Sequence, residues 1–128
     1  MKKPLDVLLI DDEPIVGKRL MSALTKMGCA VETFVNPKEA VERIDSKDFD
    51  IVVTDMRMPE IDGFQILSKT LEKKPDTKVI VITGYAMMSM AREAMEKGAF
   101  DFIAKPFKPD DLRKVISKAA LAMESNAA

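Results

Sequence analysis

The chain has 128 residues, of which 47% are hydrophobic and 32% are charged. This size and composition fit one compact domain with its own core and leave no room for a second. Lysines and arginines number 20 against 21 aspartates and glutamates, so the positive excess of a nucleic-acid or membrane-surface binder is missing. The chain has no histidine, which excludes histidine-based acid-base catalysis and histidine metal ligands.

The amino terminus and the cysteine content indicate a cytoplasmic location. Residues 1–4 resemble the basic start of a signal peptide, but the apolar run that follows is short and ends at two aspartates, so it predicts a strand. No apolar run approaches the roughly 20 residues that cross a bilayer. Cys29 is the only cysteine, which excludes an internal disulfide and predicts a buried thiol in a reducing compartment.

Five short apolar runs predict five β-strands. Four are rich in branched residues throughout, as strands buried on both faces of a parallel sheet are. The run at residues 30–35 alternates more and fits an edge strand. The other four cover residues 7–10, 51–53, 79–82 and 102–104.

A helical segment follows each predicted strand, and residues that commonly start or end helices lie at several of the segment boundaries. Three prolines occupy first-turn positions, Asn36 before one of them predicts an N-cap, and two glycines predict helix ends. Five strand–helix pairs with short loops predict right-handed crossovers and a doubly wound α/β sandwich of three layers. We predict one domain over residues 1–124, with residues 125–128 as a tail or the start of a linker. The prolines are Pro14, Pro37 and Pro109, and the glycines are Gly28 and Gly98.

Polar residues follow four of the predicted strands. Because ligands bind at the carboxyl ends of the strands in an open parallel sheet, these residues are expected to share one rim. Each alone has an ordinary explanation as a helix cap, a turn hydroxyl or a solvated lysine. Three aspartates brought together would repel one another and require a cation. The rim residues are Asp11, Asp12, Asp55, Thr83, Gly84 and Lys105.

A hard divalent ion such as Mg²⁺ fits this rim, since it takes oxygen ligands and usually only one or two carboxylates. A carboxylate beside Mg²⁺ can attack a phosphoryl group and form an aspartyl phosphate. The metal and Lys105 would offset the charge on the phosphoryl oxygens, and Gly84 would leave room for the incoming group.

Four separated motifs then resemble the receiver domain of bacterial two-component response regulators, and the resemblance covers essentially the whole chain. It implies a flavodoxin-like sheet of strand order 2-1-3-4-5. Two of the motifs also resemble receivers of transcriptional activators that carry an ATPase and a DNA-binding domain. The motifs are IDDEP at residues 10–14, TDMRMP with DG at residues 54–63, ITG at residues 82–84 and GAFDFIAKPF at residues 98–107.

The resemblance implies a role for each matching residue. Asp55 would accept a phosphoryl group from the phosphohistidine of a sensor histidine kinase. Asp11 or Asp12, or both, would hold Mg²⁺ together with Asp55 and the main-chain carbonyl of Arg57. The role of the Arg57 side chain stays open between a phosphoryl contact, a screen against water and an ion pair with Glu60.

The remaining roles concern phosphoryl binding and the switch. Lys105 would pair with the phosphoryl oxygens, and the peptide bond before Pro106 would be cis. Thr83 would move inward to bond the phosphoryl group, and Phe102 would change rotamer with it. Many relatives carry tyrosine at the position of Phe102, so a signal that needs that hydroxyl is not open to this chain. The domain itself would be a switch rather than an enzyme.

The output surface is expected at the fourth helix, fifth strand and fifth helix, facing a downstream effector domain or protein or a second copy after phosphorylation. On the fourth helix, helical periodicity predicts that Met88, Ala91 and Met95 face the sheet. Met87, Ala94 and Met90 lie to one side of this stripe and widen it. The result is either a broad core face, or Met87 and Met90 form an adaptable apolar surface for a partner.

Two other protein classes fit the residues less well. A phosphatase of the haloacid-dehalogenase type would need a second aspartate two places after its nucleophile, where this chain has Arg57. A flavodoxin-type flavin carrier would need a phosphate loop rich in glycine and hydroxyls after the first strand, where three acids would repel phosphate. A receiver that is never phosphorylated and serves only as a scaffold is disfavoured because every chemical position is occupied.

Overall fold

The computed structural model describes residues 4–84 and 88–126, which form one five-stranded sheet covered by helices on both faces. The strands are β1 (Asp6–Ile10), β2 (Ala30–Phe34), β3 (Ile51–Asp55), β4 (Lys78–Gly84) and β5 (Asp101–Lys105). The helices are α1 (Pro14–Lys26), α2 (Pro37–Ser46), α3 (Gly63–Lys73), α4 (Met88–Glu96) and α5 (Pro109–Asn126). Helix α5 thus continues two residues beyond the predicted end of the domain.

All strand pairs are parallel, and the order across the sheet is β2-β1-β3-β4-β5. This confirms the doubly wound α/β fold and the edge position of β2. The three central strands are buried on both faces, which is why their sequences are almost continuously apolar.

The sheet separates two hydrophobic cores. One contains the α1 and α5 side chains that meet one face of the sheet, including Leu20, Leu24 and Ile116. The other contains residues of α2, α3 and α4 on the opposite face, including Ile44 and Ile66. The side chains of successive strand residues pack in opposite cores, because side chains alternate between the two faces of a strand.

Helix ends follow the predicted signals. Asn36 accepts a hydrogen bond from the Lys38 amide at 2.9 Å, as an N-cap does. A cap that was not predicted lies at the start of α3, where Asp62 and Gln65 form a reciprocal capping box. Gly28 and Gly98 adopt φ values of 96° and 110° after α1 and α4, a conformation that favours glycine.

The predicted inner face of α4 is wrong in one residue. Ala91 and Ala94 are the buried residues of this helix, whereas Met95 is 38% exposed and Met88 is half-buried. The two alanines are three positions apart, so they share one side of the helix, and their small side chains let the helix lie close to the sheet. Met95 is turned away from that side.

Among the helices of the described ranges, none is both long and apolar enough to cross a membrane.

Candidate functional site

The candidate site lies at the carboxyl ends of β1, β3 and β5. From β1 the chain first adds β2 on one side of the sheet and then β3 on the other, so the strand order reverses between β1 and β3. Such a switch point leaves a crevice at the carboxyl ends of the strands. Asp11 and Asp12 follow β1, Asp55 ends β3 and Lys105 ends β5.

Asp11 is the most buried acid of the site. Only 1% of its surface is exposed, and its Oδ1 accepts a hydrogen bond of 2.8 Å from the Glu13 amide. Its Oδ2 is buried and has no hydrogen-bond partner in the part of the chain that the structure describes. Burial raises the pKa of Asp11, and the negative charges of Asp55 and Glu13 add to this, although the Glu13 amide and Lys105 oppose it.

Asp55 is buried in all but 8% of its surface, and both of its carboxylate oxygens have partners. Oδ1 accepts a hydrogen bond of 3.3 Å from the Arg57 amide. Oδ2 accepts one of 3.0 Å from the Lys105 ammonium. The strand and the turn after it therefore fix the carboxylate at the rim, whereas Asp12 beside it is exposed.

Lys105 lies among three carboxylates. Its Nζ is 3.0 Å from Asp55 Oδ2, 3.5 Å from Asp11 Oδ2 and 3.8 Å from Glu13 Oε1. Burial lowers the pKa of Lys105, but the hydrogen bond to Asp55 and the surrounding negative charges outweigh it, so the pKa is raised. The peptide bond between Lys105 and Pro106 is cis.

The three aspartates can hold a metal ion. Each offers a carboxylate oxygen, and these oxygens lie within 4.8 Å of one another. The donor set consists of oxygen only, which suits a hard divalent cation. Asp11 Oδ2 lies 3.5 Å from Lys105 Nζ but accepts no hydrogen bond from the described residues. This supports the same conclusion, because a buried anionic oxygen needs hydrogen bonds or a cation.

The other predicted site residues surround this cluster. Thr83 is buried at the end of β4, where its hydroxyl lies 3.4 Å from the Gly84 carbonyl oxygen. A side-chain carbon placed on Gly84 would meet no atom of the described residues within 4 Å, so they leave open space there. Phe102 is half-buried and packs against the core beneath α4. Arg57 is exposed and lines a groove of about 430 Å³.

Of the two methionines proposed for the output surface, the structure describes only Met90. Met87 lies outside the described residues. Met90 is half-buried, packs against the same core as Phe102, and lines the groove beside Arg57. Met90 therefore belongs in part to the core face of α4. Glu60, the suggested partner of Arg57, forms its ion pair with Lys38 at 2.8 Å.

Three residues near the site were not recognised from the sequence as site residues. Glu13 brings a third carboxylate to Lys105, and the acidic run after β1 was its only signal. Thr54 donates a hydrogen bond to the Asp55 carbonyl, but a threonine within a strand usually reflects β propensity. Gly63 packs so closely that a side-chain carbon there would lie 2.8 Å from the Asp55 carbonyl oxygen.

Comparison with known proteins gives the family. Residues 7–117 match the response regulator receiver domain. The chain belongs to this family. In its structure it is similar to a response regulator receiver domain protein from Clostridium thermocellum, with a TM-score of 0.88 and 30% identity, covering 94% of this chain and 97% of that one. This receiver domain is therefore a signalling module of two-component systems, and neither the phosphatase nor the flavin-carrier alternative holds.

Relatives of this receiver domain are longer proteins. It is 37% identical to the C4-dicarboxylate transport transcriptional regulatory protein DctD of Rhizobium meliloti (strain 1021), covering 93% of this chain and 27% of that protein. It is 35% identical to the response regulator protein PilR of Pseudomonas aeruginosa, covering 88% of this chain and 25% of that protein. The chain thus spans about a quarter of the length of these curated relatives.

Proposed function

We propose that this receiver domain is a cytoplasmic switch that accepts a phosphoryl group on Asp55 from the phosphohistidine of a sensor histidine kinase. One observation carries the proposal. The Asp55 carboxylate stands at the rim with Lys105 Nζ at 3.0 Å, beside two further aspartates and the open space at Gly84. A nucleophilic carboxylate, a fixed cation and room for an incoming group are the parts that phosphoryl transfer needs.

Mg²⁺ fits the site as its cofactor, because Asp11, Asp12 and Asp55 offer oxygen ligands, and the residues that the structure describes leave Asp11 Oδ2 without a hydrogen bond. Asp11, Asp12, Asp55 and the main-chain carbonyl of Arg57 would hold it. When bound, Mg²⁺ would supply positive charge beside the phosphoryl oxygens. It would also relieve the repulsion among the three carboxylates, which the positive charge of Lys105 offsets in part.

In the transfer, one oxygen of Asp55 forms a bond to phosphorus while the bond from phosphorus to the histidine nitrogen breaks, and the imidazole keeps the electron pair. The Lys105 ammonium, already 3.0 Å from the carboxylate, stays in place to bind a phosphoryl oxygen. The Thr83 hydroxyl, at the end of the neighbouring strand, would turn from the Gly84 carbonyl toward the new group. A later attack by water would release phosphate and restore Asp55.

The signal would be a change between two packings of the domain. Phosphorylation adds negative charge at the rim, and movement of Thr83 vacates space into which Phe102 can turn. Phe102 and Met90 are half-buried and both pack against the core beneath α4, so movement of Phe102 would reach the surface formed by α4, β5 and α5. That surface would contact an effector domain or protein, or a second copy of the domain.

The names of the relatives support a role in transcription. We propose that the full protein is a transcriptional regulator that carries an ATPase and a DNA-binding domain in addition to the receiver domain. In that arrangement the receiver domain itself would not contact nucleic acid, in keeping with its balanced charge.

Intact-mass measurement after incubation with acetyl phosphate and Mg²⁺ tests the phosphoacceptor. We expect one added phosphoryl group on the wild type and none on Asp55→Asn, which keeps the shape of the side chain. The adduct should not form when EDTA replaces Mg²⁺ during the incubation. If neither acetyl phosphate nor an autophosphorylated sensor kinase labels the wild type, or if Asp55→Asn is labelled equally, the proposal is wrong.

A further inference from the structure

Thr54 is a polar residue in an apolar position. Its surface is 0% exposed, and its neighbours in register on the adjoining strands are Ile10 and Val81, both fully buried. Valine has nearly the same shape and would bury more apolar surface between them. A hydroxyl in such a place has to find a partner, because an unpaired buried polar group costs folding free energy.

The partner is the main chain of the neighbouring residue. Thr54 Oγ1 donates a hydrogen bond of 2.9 Å to the carbonyl oxygen of Asp55. The same peptide group is held at its other end, where the Met56 amide donates to the Ile82 carbonyl oxygen at 3.0 Å. The peptide plane that follows Asp55 is therefore fixed by one side chain and by one bond to β4.

This plane controls the direction of the residues that follow. The Asp55 carboxylate is tied to the Arg57 amide at 3.3 Å, and the Gly63 amide donates to the Met56 carbonyl at 3.0 Å. A rotation of the peptide after Asp55 would move the Arg57 main chain and the carboxylate together. The Asp55 side chain lies on the opposite face of the strand from Thr54, so the influence passes through the backbone.

We propose that Thr54 is a positioning residue for the phosphoacceptor, and that its hydroxyl fixes the Asp55 carboxylate and the Arg57 main chain in their reactive arrangement. This inference rests on the proposed function of Asp55. A shift of a reacting group by a fraction of an ångström can slow a reaction severalfold or more. The loss of this one hydrogen bond should therefore slow phosphorylation, even where the fold survives.

Two other buried threonines offer controls that distinguish an effect on the position of Asp55 from an effect on the stability of the fold. Thr77 Oγ1 donates to the Phe49 carbonyl at 2.7 Å, and Thr70 Oγ1 donates to the Ile66 carbonyl at 2.7 Å. Both are almost fully buried. Thr77 lies just before β4, at the end of the sheet away from the rim, and Thr70 lies on α3. Replacing either by valine removes the same kind of bond from a place remote from Asp55.

The test compares Thr54→Val, Thr54→Ser and Thr77→Val. The rate of phosphorylation by acetyl phosphate at saturating Mg²⁺ is measured with the thermal unfolding midpoint. We expect Thr54→Val to be about fivefold slower, as the loss of one buried hydrogen bond predicts. Thr54→Ser, which keeps the hydroxyl, should restore most of the rate. Thr77→Val should lower the unfolding midpoint but keep the wild-type rate.

A Thr54→Val rate within about twofold of the wild-type rate would overturn the inference, because the decrease would be smaller than the loss of one hydrogen bond predicts. So would a rate that falls equally in Thr77→Val, because the effect would then be one of stability. Thr54→Ala provides the same comparison if the valine variant does not fold. A wild type that is not labelled at all would overturn the proposed function itself. A wild type that is labelled, with Thr54→Val labelled at the same rate, would overturn only the role of Thr54.

Discussion

Replacement of Asp11 by asparagine should stabilise the metal-free domain while weakening its site. Burial raises the pKa of Asp11, so its ionised form is less favourable in the folded state than in the unfolded chain. The amide keeps the shape and an oxygen to accept the hydrogen bond from the Glu13 amide. It removes a charge whose cost of burial outweighs its attraction to Lys105. We expect a gain of about 1 kcal/mol in the free energy of unfolding at pH 7, the lower end of the cost of a buried unsatisfied polar atom.

The sign of the pH dependence follows from the same shift. Below 3.8, the ordinary pKa, Asp11 is protonated in both states and costs nothing. The cost appears as the pH rises from that value through the raised pKa of the folded state, and it is complete above it. The stability difference between Asp11→Asn and wild type should therefore vanish in acid, grow as the pH rises through the raised pKa, and level off above it.

Urea denaturation at several pH values, in EDTA and in Mg²⁺, measures this difference. Mg²⁺ at ten times its dissociation constant should stabilise the wild type by about 1.4 kcal/mol and Asp11→Asn by much less, so the order of stability reverses. Asp12→Asn is the matched control, because Asp12 is exposed and its loss should leave metal-free stability almost unchanged. An Asp11→Asn variant that is less stable than wild type at pH 7 in EDTA would refute the reasoning.

Three further predictions concern residues around the site and at the edge of the sheet. Arg57→Ala should lose the aspartyl phosphate about threefold faster, a change below 1 kcal/mol as expected for an exposed charge; an unchanged dephosphorylation rate would show that the guanidinium neither screens nor binds the phosphoryl group. Glu60 has a φ of 70°, so Glu60→Gly should raise stability by roughly 0.5 kcal/mol in thermal unfolding, since its exposed ion pair with Lys38 contributes little; a lower unfolding midpoint would contradict this. The hydrogen bonds from Arg43 and Lys47 lower the pKa of Glu32, so Glu32→Gln should cost up to about 1 kcal/mol at pH 7. That cost should fade as the pH drops below the ordinary glutamate value of 4.5 and through the lowered pKa; a cost that persists in acid would exclude the ion pair as its cause.

The strands were predictable because a parallel sheet buries both faces of its central strands. Continuous apolar runs at residues 7–10, 51–53 and 79–82 are therefore visible in the sequence, and they lie within β1, β3 and β4. The convergence of Asp11, Asp55 and Lys105 was predictable for the same reason, since residues that follow parallel strands meet at one edge whatever their separation along the chain.

The rotation of α4 was not predictable from its pattern. Apolar residues occupy more than one side of this short helix, so periodicity alone could not decide between Met95 and Ala94 as the residue that faces the sheet. The partners of Lys105 depend on side-chain conformation, which the sequence does not display. The hydrogen bond of Thr54 was hidden because a strand threonine needs no special explanation until its burial and its partner are known.

Identification of the phosphorylated residue tests the central claim most directly. Borohydride reduction of the acyl phosphate converts a phosphorylated aspartate to homoserine, and peptide mass spectrometry then locates that residue. After incubation with a phosphodonor and Mg²⁺, we predict homoserine at position 55 and unchanged aspartates at positions 11 and 12. Homoserine at position 11 or 12, with Asp55 intact, would contradict the assignment of the switch.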